Sequence, residues 1–436
     1  MKRCNSVDAE EGGKIMKLEV PLTLNEQQQK IYNYLTSVDC FEPIFVSGSA
    51  GTGKSALLVT LTKAWTMKNM RVDVGTYTNL AARNVNGKTL HKLFGFDLKM
   101  ELRSNFCFNA PDYLIIDEIS MVPDKMLAGI DERLQQAGLN GIPFGGVNVV
   151  VFGDLFQLPP ISNDKDAAKP PYYASVWSSF KLYELTINMR QSEQEFIDAL
   201  NKLRVGDLTC QKFFNKQVLK KPPSIAEKLQ CTSLVSTHKE ADFNNNLCYN
   251  HIKKNKDEKT IELKEQYAQR FKHDIVYNAN QEKIIFKDGM KYCVGTRVMI
   301  TQTVPTTTLC NGDIGEIVSI DDEKLTFQRE CDGQKFDVCQ MTINFETSNY
   351  HTMKCVTGLT ICQAWAVTIH KAQGMTLKNL IVYPERTFVE GQAYVALSRV
   401  THCDGLKLVN KIPDSSIIEM RETVQVYKNL ERLSLE

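Results

Sequence analysis

The chain has 436 residues, of which 43% are hydrophobic, and this is enough for two or three domains with separate cores. A net charge of +1 excludes a protein that binds polyanions through its global charge, so any nucleic-acid contact must come from local grooves. The 13 cysteines form no Cys-x-x-Cys pair, which argues against a disulfide framework or a zinc site and favours a reducing, intracellular compartment.

The first half of the chain predicts a tail followed by an α/β domain. Residues 1–20 lack the apolar core of a signal peptide and are expected to form a flexible tail. The sequence contains no run of about 18 uninterrupted apolar residues, so no membrane span is predicted. Residues 21–218 alternate apolar runs with helical periodicity, which predicts strands at 44–46, 113–116 and 147–152 and a helix at 55–67. This rhythm is typical of a parallel sheet covered by helices.

The second half predicts another α/β domain that carries an insert. Two adjacent prolines interrupt the pattern, so residues 219–228 are predicted to be a linker. Residues 229–436 return to strand and helix, with strands near 232 and at 379–383 and an inserted β-rich region at about 288–355. A final helix is predicted from Ser416 to Leu435, beginning with a capping box of Ser416 and Glu419.

A glycine-rich loop between the first strand and the first helix fits the phosphate-binding pattern in full. Glycines allow backbone N–H groups to wrap phosphates, Lys54 can reach the β and γ oxygens, and the Ser55 hydroxyl can bind Mg²⁺. The loop consists of Gly48, Ser49, Ala50, Gly51, Thr52, Gly53, Lys54 and Ser55.

Two adjacent acids follow the strand at 113–116 and complete such a site. Asp117 is expected to hold Mg²⁺ through water, and Glu118 is expected to act as the general base on the attacking water. An Asp-Glu pair alone is often only a solvated strand end, but after a phosphate loop it predicts a nucleotide hydrolase. The predicted metal ligands are therefore Ser55 and Asp117.

Further motifs resemble the superfamily 1B DNA helicases, the petite-integration-frequency family and its RecD-like relatives. The resemblance extends from about Leu24 to Leu408, and its most specific parts are the last two motifs. The matching segments are Leu24–Gln28, Thr76–Ala82, Gly87–His91, Asp117–Met121, Phe152–Pro160, Asn188–Gln191, Gly295–Met299, Asn311–Gly315, Ala364–Thr376 and Tyr394–Val400.

The resemblance implies two RecA-like P-loop domains with a small inserted wedge and an SH3-like β-barrel. It implies a monomeric, ATP-dependent 5′-to-3′ DNA helicase that uses Mg²⁺ and takes single-stranded, forked or tailed duplex DNA, with RNA as an alternative track. Roles in replication, recombination, repair or telomere maintenance are expected, in the nucleus, or the host nucleus of a viral member, more than in the cytoplasm. The compact chain favours a viral or mobile-element origin.

The resemblance also assigns residues to roles. Gln28 is expected to read adenine, Gln157 to sense the γ-phosphate, and Arg190 and Arg399 to stabilise the transferred phosphoryl group. Gly374 is expected to contribute to the ATP site. The predicted DNA contacts are Thr78, Asn79, His91, Thr368, His370 and Lys371.

An insert at residues 95–110 is the predicted wedge subdomain. It places three phenylalanines, Phe96, Phe106 and Phe108, beside basic residues, which suits base stacking at a fork. The alternative is that these rings form a small core. If the insert forms no wedge, a single-strand translocase that does not unwind is favoured. A motor subunit of a recombination complex and a non-enzymatic scaffold remain as further alternatives.

Overall fold

The computed structural model describes residues 23–435, except 79–80, 83–84, 98–99, 105, 161–167, 272–273, 275, 278, 305–306, 323, 348–350, 388 and the side chains of 280 and 386. The predicted tail, residues 1–20, lies outside this range. In the part of the chain that is described, none of the helices combines the length and apolar character that a bilayer crossing requires.

The first lobe is built on a parallel six-stranded sheet. Its strands are β1 (Ile44–Gly48), β2 (Val72–Thr76), β3 (Lys88–Thr89), β4 (Tyr113–Asp117), β5 (Asn148–Gly153) and β6 (Lys181–Leu185). They lie in the order β3-β2-β4-β5-β1-β6. The helices are α1 (Glu26–Ser37), α2 (Lys54–Met67), α3 (Leu90–Phe94) and α4 (Asp124–Ala137). The predicted strands and helix of this lobe are confirmed to within a residue or two at each end.

Three helices follow the first sheet: α5 (Gln194–Arg204), α6 (Gln211–Phe214) and α7 (Ile225–Gln230). The apolar faces of α5 and α6 pack into the core of the second lobe, where Phe196, Leu200 and Phe214 share a cluster with Leu234. Because buried apolar side chains assign a segment to the core that covers them, we infer that the first lobe ends soon after β6, before the predicted boundary at 218. The predicted linker, 219–228, also contains the start of α7 and its capping box.

The second lobe begins with β7 (Thr232–Val235) and α8 (His238–Ile252) and then carries the β-rich insert. The insert contains β8 (Lys259–Thr260), β9 (Lys264–Gln269), α9 (Glu282–Ile285), β10 (Lys291–Tyr292), β11 (Arg297–Ile300), β12 (Ile314–Ile320), β13 (Lys324–Arg329), β14 (Lys335–Cys339), β15 (Met341–Glu346), β16 (Thr352–Gly358) and β17 (Ile361–Gln363).

These strands form three antiparallel sheets, in the orders β14-β13-β12-β11-β17, β15-β16-β9 and β10-β8. A core of Val298, Ile317, Phe327 and Ile361 holds the five-stranded sheet. The predicted inserted β subdomain is therefore present. It extends beyond the predicted 288–355 on both sides, because β9 pairs with β16 and β17 pairs with β11.

The chain then completes the second sheet with β18 (Ala366–Thr368), β19 (Leu380–Val382), α10 (Gln392–Leu397) and β20 (Leu406–Leu408). The order is β18-β7-β19-β20, and all pairings are parallel. Both lobes thus have the parallel sheet with flanking helices of a RecA-like domain, so the predicted fold class is confirmed.

The last helix, α11 (Arg421–Asn429), returns to the first lobe. Met420 and Tyr427 lie in the first lobe's core, and the residues after α11 pair with β6 through an isolated bridge of Leu182 with Arg432. The predicted capping box is wrong, since the Ser416 hydroxyl donates to the Thr387 carbonyl at 2.9 Å and the helix begins five residues later.

Candidate active site

One cavity lies where the two lobes meet, at the carboxyl ends of β1 and β4. Ligands of open parallel sheets bind at this edge, because the loops that follow the strands converge there. The cavity holds about 260 Å³. Gly48, Ser49 and Thr52 of the loop do not line it, but most residues predicted to act on a nucleotide do, namely Ala50, Gly51, Gly53, Lys54, Ser55, Asp117, Glu118, Gln157, Arg190, Gly374 and Arg399.

The loop between β1 and α2 has a backbone suited to phosphate. Gly51 and Gly53 adopt left-handed φ values of +93° and +77°, which glycine tolerates best. A β-carbon on Gly51 would lie 2.8 Å from atoms of Arg190 and Asn188, so the loop also approaches its neighbours too closely for a side chain. No side chain caps α2, which leaves its first N–H groups to an anion.

The Lys54 ammonium is folded back onto this loop. It donates to the carbonyl oxygens of Gly48 at 2.7 Å and Ser49 at 3.1 Å. Burial lowers the pKa of Lys54, although the charges of nearby carboxylates oppose the shift. Because the hydrogen bonds of this ammonium within the described part of the chain go to neutral carbonyl oxygens, it gains by meeting a phosphate, so the electrostatics favour an anionic ligand here.

The acid pair is held under strain at the end of β4. Asp117 is buried, and desolvation together with the charge of Glu118 raises the pKa of Asp117 to about 7. Glu118 adopts a left-handed φ of +53°, which is rare for a residue with a β-carbon. Its carboxylate lies 3.5 Å from the Gln373 amide of the second lobe.

Ser55 and Asp117 fit the requirements of a Mg²⁺ ion. Both present oxygen atoms to the cavity, and a cation would remove the penalty that burial imposes on the ionised Asp117. Among the described residues, groups of three or more His, Cys, Asp or Glu side chains that could hold a metal are absent. The remaining ligands would therefore be phosphate oxygens and water, as is usual for Mg²⁺.

Two arginines face the same cavity from the other side. Arg399 is almost fully buried, and desolvation and the charge of Arg190 lower the pKa of Arg399 to about 10. Arg399 donates to the Val395 carbonyl at 2.8 Å and the Ser398 hydroxyl at 2.8 Å, while Arg190 donates to the Ser398 carbonyl at 3.1 Å. The two guanidinium groups repel each other, and these neutral partners do not offset that repulsion. An anion between the two groups would therefore be strongly bound.

The two predicted glutamines differ in position. Gln157 is buried, lines the cavity, and its Oε1 has no hydrogen-bond partner among the described residues, as expected for a group that contacts a bound ligand. Gln28 lies behind the loop. Its amide nitrogen donates to the carbonyls of Thr52 and Gly53, and its oxygen accepts from the Asn25 N–H in a capping box. Gln28 thus holds the phosphate loop in this structure, and its contact with adenine stays a prediction.

A second cavity, of about 330 Å³, collects some of the predicted DNA contacts. Thr368 and Lys371 line it at the end of the second sheet, while His370 is half-buried beside them. His238 and Lys287 also line it, and the sequence reasoning missed both. Burial, and then the charges of Lys371 and Lys287, lower the pKa of His238. The two lysines suit contacts with a phosphate backbone, although Asp242 and Asp288 line the same cavity.

The predicted DNA contacts of the first lobe are only partly described. Asn79 lies outside the described residues. The Thr78 hydroxyl accepts the Ala81 N–H at 3.3 Å. His91 lies between the rings of Tyr77 and Phe96, with centroids 5.7 Å and 6.4 Å away, and burial lowers the pKa of His91. Their role in DNA binding stays a prediction.

The phenylalanines of the insert at 95–110 pack against the first lobe. Phe96 is 3% exposed, so its prediction as a wedge is wrong for this conformation, because a buried ring cannot stack on a base. The Phe108 ring packs on Phe94 at 5.4 Å, and Arg133 lies over the Phe106 ring at 5.8 Å. Phe106 and Phe108 remain half-exposed candidates.

Several residues that shape the site were not predicted. The Tyr394 hydroxyl of α10 accepts the Ala50 N–H at 2.7 Å, and the Asn188 amide donates to the Ala50 carbonyl at 3.2 Å. The Gln373 oxygen is buried and lacks a hydrogen-bond partner in the described part of the chain. All three lie inside quoted motifs, but only the fold shows that Tyr394 and Asn188 contact the phosphate loop and that Gln373 contacts Glu118.

Known proteins resemble this chain over most of its length. The PIF1-like helicase family model matches residues 23–213. The ATP-dependent DNA helicase PIF1 of Emericella nidulans is 28% identical over 89% of this chain, which spans 61% of that relative. The ATP-dependent DNA helicase Pif1 of Bdellovibrio bacteriovorus is 28% identical over 90% of this chain and 89% of its own length.

Solved structures agree with these relatives. A structure of two coordinating Pif1 helicases on forked double-stranded DNA aligns with a TM-score of 0.75 at 28% identity, covering 95% of this chain and 100% of that one. Pif1 from Bacteroides, in complex with ADP-AlF3 and single-stranded DNA, aligns with a TM-score of 0.75 at 27% identity, covering 93% of this chain and 97% of that one.

Proposed function

We infer that the chain is a PIF1-like helicase of superfamily 1B, and from this premise we propose that it is an ATP-dependent DNA helicase that moves 5′ to 3′ along single-stranded DNA. The relatives are named as ATP-dependent DNA helicases, and solved Pif1 structures hold single-stranded and forked DNA. We place its action on DNA in the nucleus, or in the host nucleus if the chain is viral.

The observation that carries this proposal is the meeting of two acids and two arginines in one cavity, with Asp117 and Arg399 buried and Glu118 and Arg190 half-buried. Charged groups that are removed from water destabilise the free protein unless each is paired with an opposite charge. A ligand that carries charges of both signs can pair with the acids and the arginines together. Nucleoside triphosphate with Mg²⁺ meets both needs, because the metal pairs with the acids and the phosphates pair with the arginines.

Each group then has a role in hydrolysis. The phosphate loop and Lys54 would hold the phosphates, and Ser55 and Asp117 would hold the metal. Bound Mg²⁺ supplies charge neutralisation on the phosphate oxygens. Glu118 accepts a proton from the attacking water, while Arg190 and Arg399 stabilise charge that develops on the transferred phosphoryl group.

Movement follows from the position of the site between the lobes. The second lobe contributes Arg399 and Gly374, and the first contributes Lys54 and Glu118, so nucleotide binding draws the lobes together and hydrolysis releases them. DNA across the carboxyl ends of both sheets, including the second cavity with Lys371, would be moved by this cycle.

A translocase that does not unwind DNA is the alternative with an observation in its favour. The burial of Phe96 removes one of the three wedge candidates. Phe106 and Phe108 are still partly exposed, so a wedge at the insert stays our proposal. A motor subunit of a recombination complex, and RNA as the track, are outcomes that the same assay can detect.

The test is strand separation of two partial duplexes, one with a 5′ and one with a 3′ single-stranded tail, in ATP and Mg²⁺. We expect unwinding only from the 5′ tail, and none by Lys54→Ala, which retains DNA binding. Stimulated ATP hydrolysis without separation from either tail would identify a translocase or a missing partner. Separation from the 3′ tail would refute the proposed direction, and an RNA-tailed pair would show whether the track can be RNA.

A further inference from the structure

The hydroxyl of Tyr427, on the C-terminal helix α11, lies directly behind the phosphate loop. It is 2.6 Å from the hydroxyl of Ser47, which lies near the carboxyl end of β1, just before the loop. It also accepts the backbone N–H of Leu155 at 3.3 Å. The ring stacks on Phe156 with centroids 5.2 Å apart and planes 15° from parallel. Tyr427 thus joins two segments of the first lobe that both lead into the cavity.

The second of these segments carries Gln157. A turn is closed by the Gln157 N–H, which donates to the Asp154 carbonyl at 2.9 Å, and Leu155 lies inside this turn. The orientation of the Gln157 side chain in the cavity therefore depends on how the turn is held. Tyr427 contacts this turn twice, through the hydrogen bond that its hydroxyl accepts from the Leu155 N–H and through ring stacking on Phe156.

The second lobe reaches the same turn through Asp154. The Asp154 carboxylate is fully buried and accepts a bidentate pair of hydrogen bonds from Arg204 of α5, at 2.8 Å on Oδ1 and 3.0 Å on Oδ2. It also accepts from the Tyr394 hydroxyl at 3.2 Å. The Arg204 guanidinium lies over the Phe156 ring at 4.4 Å and near the Tyr427 ring at 5.8 Å. A buried bidentate pair of this kind has one well-defined geometry.

Two tyrosines therefore connect the phosphate loop to the Asp154 turn. Tyr427 does so at Ser47, before the loop, and Tyr394 does so at Ala50, within it. Both rings are buried and both hydroxyls are used, so the connection is rigid. Movement of α5 and α10 with the second lobe must pass to the loop and to Gln157 through these contacts.

We propose that Tyr427 is a positioning residue for ATP hydrolysis, which sets the distance between the phosphate loop and the turn that carries Gln157. This inference rests on the proposed ATPase function. The hydroxyl is the essential part, because Phe at this position would keep the packing but leave the Ser47 hydroxyl and the Leu155 N–H without this partner in a buried place. The C-terminal helix thereby becomes part of the ATPase machinery.

The experiment compares Tyr427→Phe with Tyr249→Phe. Tyr249 is an equally buried tyrosine whose hydroxyl donates to Glu258 at 2.9 Å, in the second lobe and away from the nucleotide cavity. For each protein, DNA-stimulated ATP hydrolysis gives kcat and KM, and thermal unfolding gives Tm. We expect Tyr427→Phe to lower kcat by roughly tenfold, with KM within about twofold, and Tyr249→Phe to keep the wild-type kcat. The two variants should have similar Tm values.

A double-mutant cycle separates positioning from general stability. Ser47→Ala removes the other end of the 2.6 Å contact, so we expect it to lower kcat too, and the double variant to be no slower than Tyr427→Phe alone. Wild-type kcat in Tyr427→Phe, multiplicative effects in the double variant, or an equal kcat loss in Tyr249→Phe would overturn the inference. A wild-type protein without ATPase activity would instead refute the proposed function itself.

Discussion

Because Asp117 is buried beside Glu118, we expect its ionised carboxylate to destabilise the nucleotide-free protein. Asp117→Asn should remove this electrostatic cost. Burial and Glu118 raise the pKa of Asp117 from 3.8 to about 7. The folded state therefore binds a proton more tightly than the unfolded chain, and stability falls as pH rises from about 4 through about 7. Asn keeps the shape and can still accept the Glu118 N–H that Asp117 accepts at 2.9 Å, but it cannot ionise.

The size of the effect follows from the shift. At about 1.36 kcal/mol per pKa unit, ionising the buried carboxyl costs at most about 4 kcal/mol. The advantage of Asp117→Asn over wild type should be small near pH 4, grow with pH, and level off above pH 7. Between pH 5 and pH 8 we expect it to increase by about 3 kcal/mol.

Urea unfolding of the nucleotide-free protein at four pH values is the assay, followed by tryptophan fluorescence. Trp65 and Trp177 are buried in the first lobe and Trp365 lies in the second, so a Trp365→Phe background reports the lobe that holds Asp117. Asp207→Asn is the control, because backbone and side-chain hydrogen bonds from Thr209 lower the pKa of Asp207, and no gain at high pH is expected. An Asp117→Asn advantage that does not change with pH would refute the reasoning.

Three further predictions concern the two cavities. Arg399→Lys should lower kcat for ATP hydrolysis by roughly a thousandfold in steady-state assays, because a lysine cannot bridge the Val395 and Ser398 contacts and the phosphoryl group; an unchanged kcat would contradict this role. Gln28→Ala should weaken ATP and GTP binding by the same factor in equilibrium titrations, since the side chain holds the loop. A loss of affinity confined to ATP would indicate instead that Gln28 contacts the adenine. Lys287→Ala should weaken single-stranded DNA binding and reduce its salt slope by about one, whereas an unchanged slope would exclude a phosphate contact.

What sequence alone determined was the local chemistry of the ATP site. A buried strand, a glycine-rich loop and a helix are set by neighbouring residues, so Lys54, Ser55, Asp117 and Glu118 could be assigned before the fold was known. The parallel sheets of both lobes followed from the same short-range periodicity. The family resemblance then supplied Arg190 and Arg399, whose approach to one cavity depends on residues more than 200 positions apart.

Only the tertiary structure decided which side chains share one environment. It placed Gln28 behind the loop and Phe96 in the core, because burial depends on what the rest of the chain packs against each residue. It also brought the C-terminal helix back to the first lobe, where Tyr427 meets Ser47 across a sequence separation of 380 residues. Helical periodicity predicts that such a helix has an apolar face, but the complementary surface that buries it exists only after the first lobe has formed.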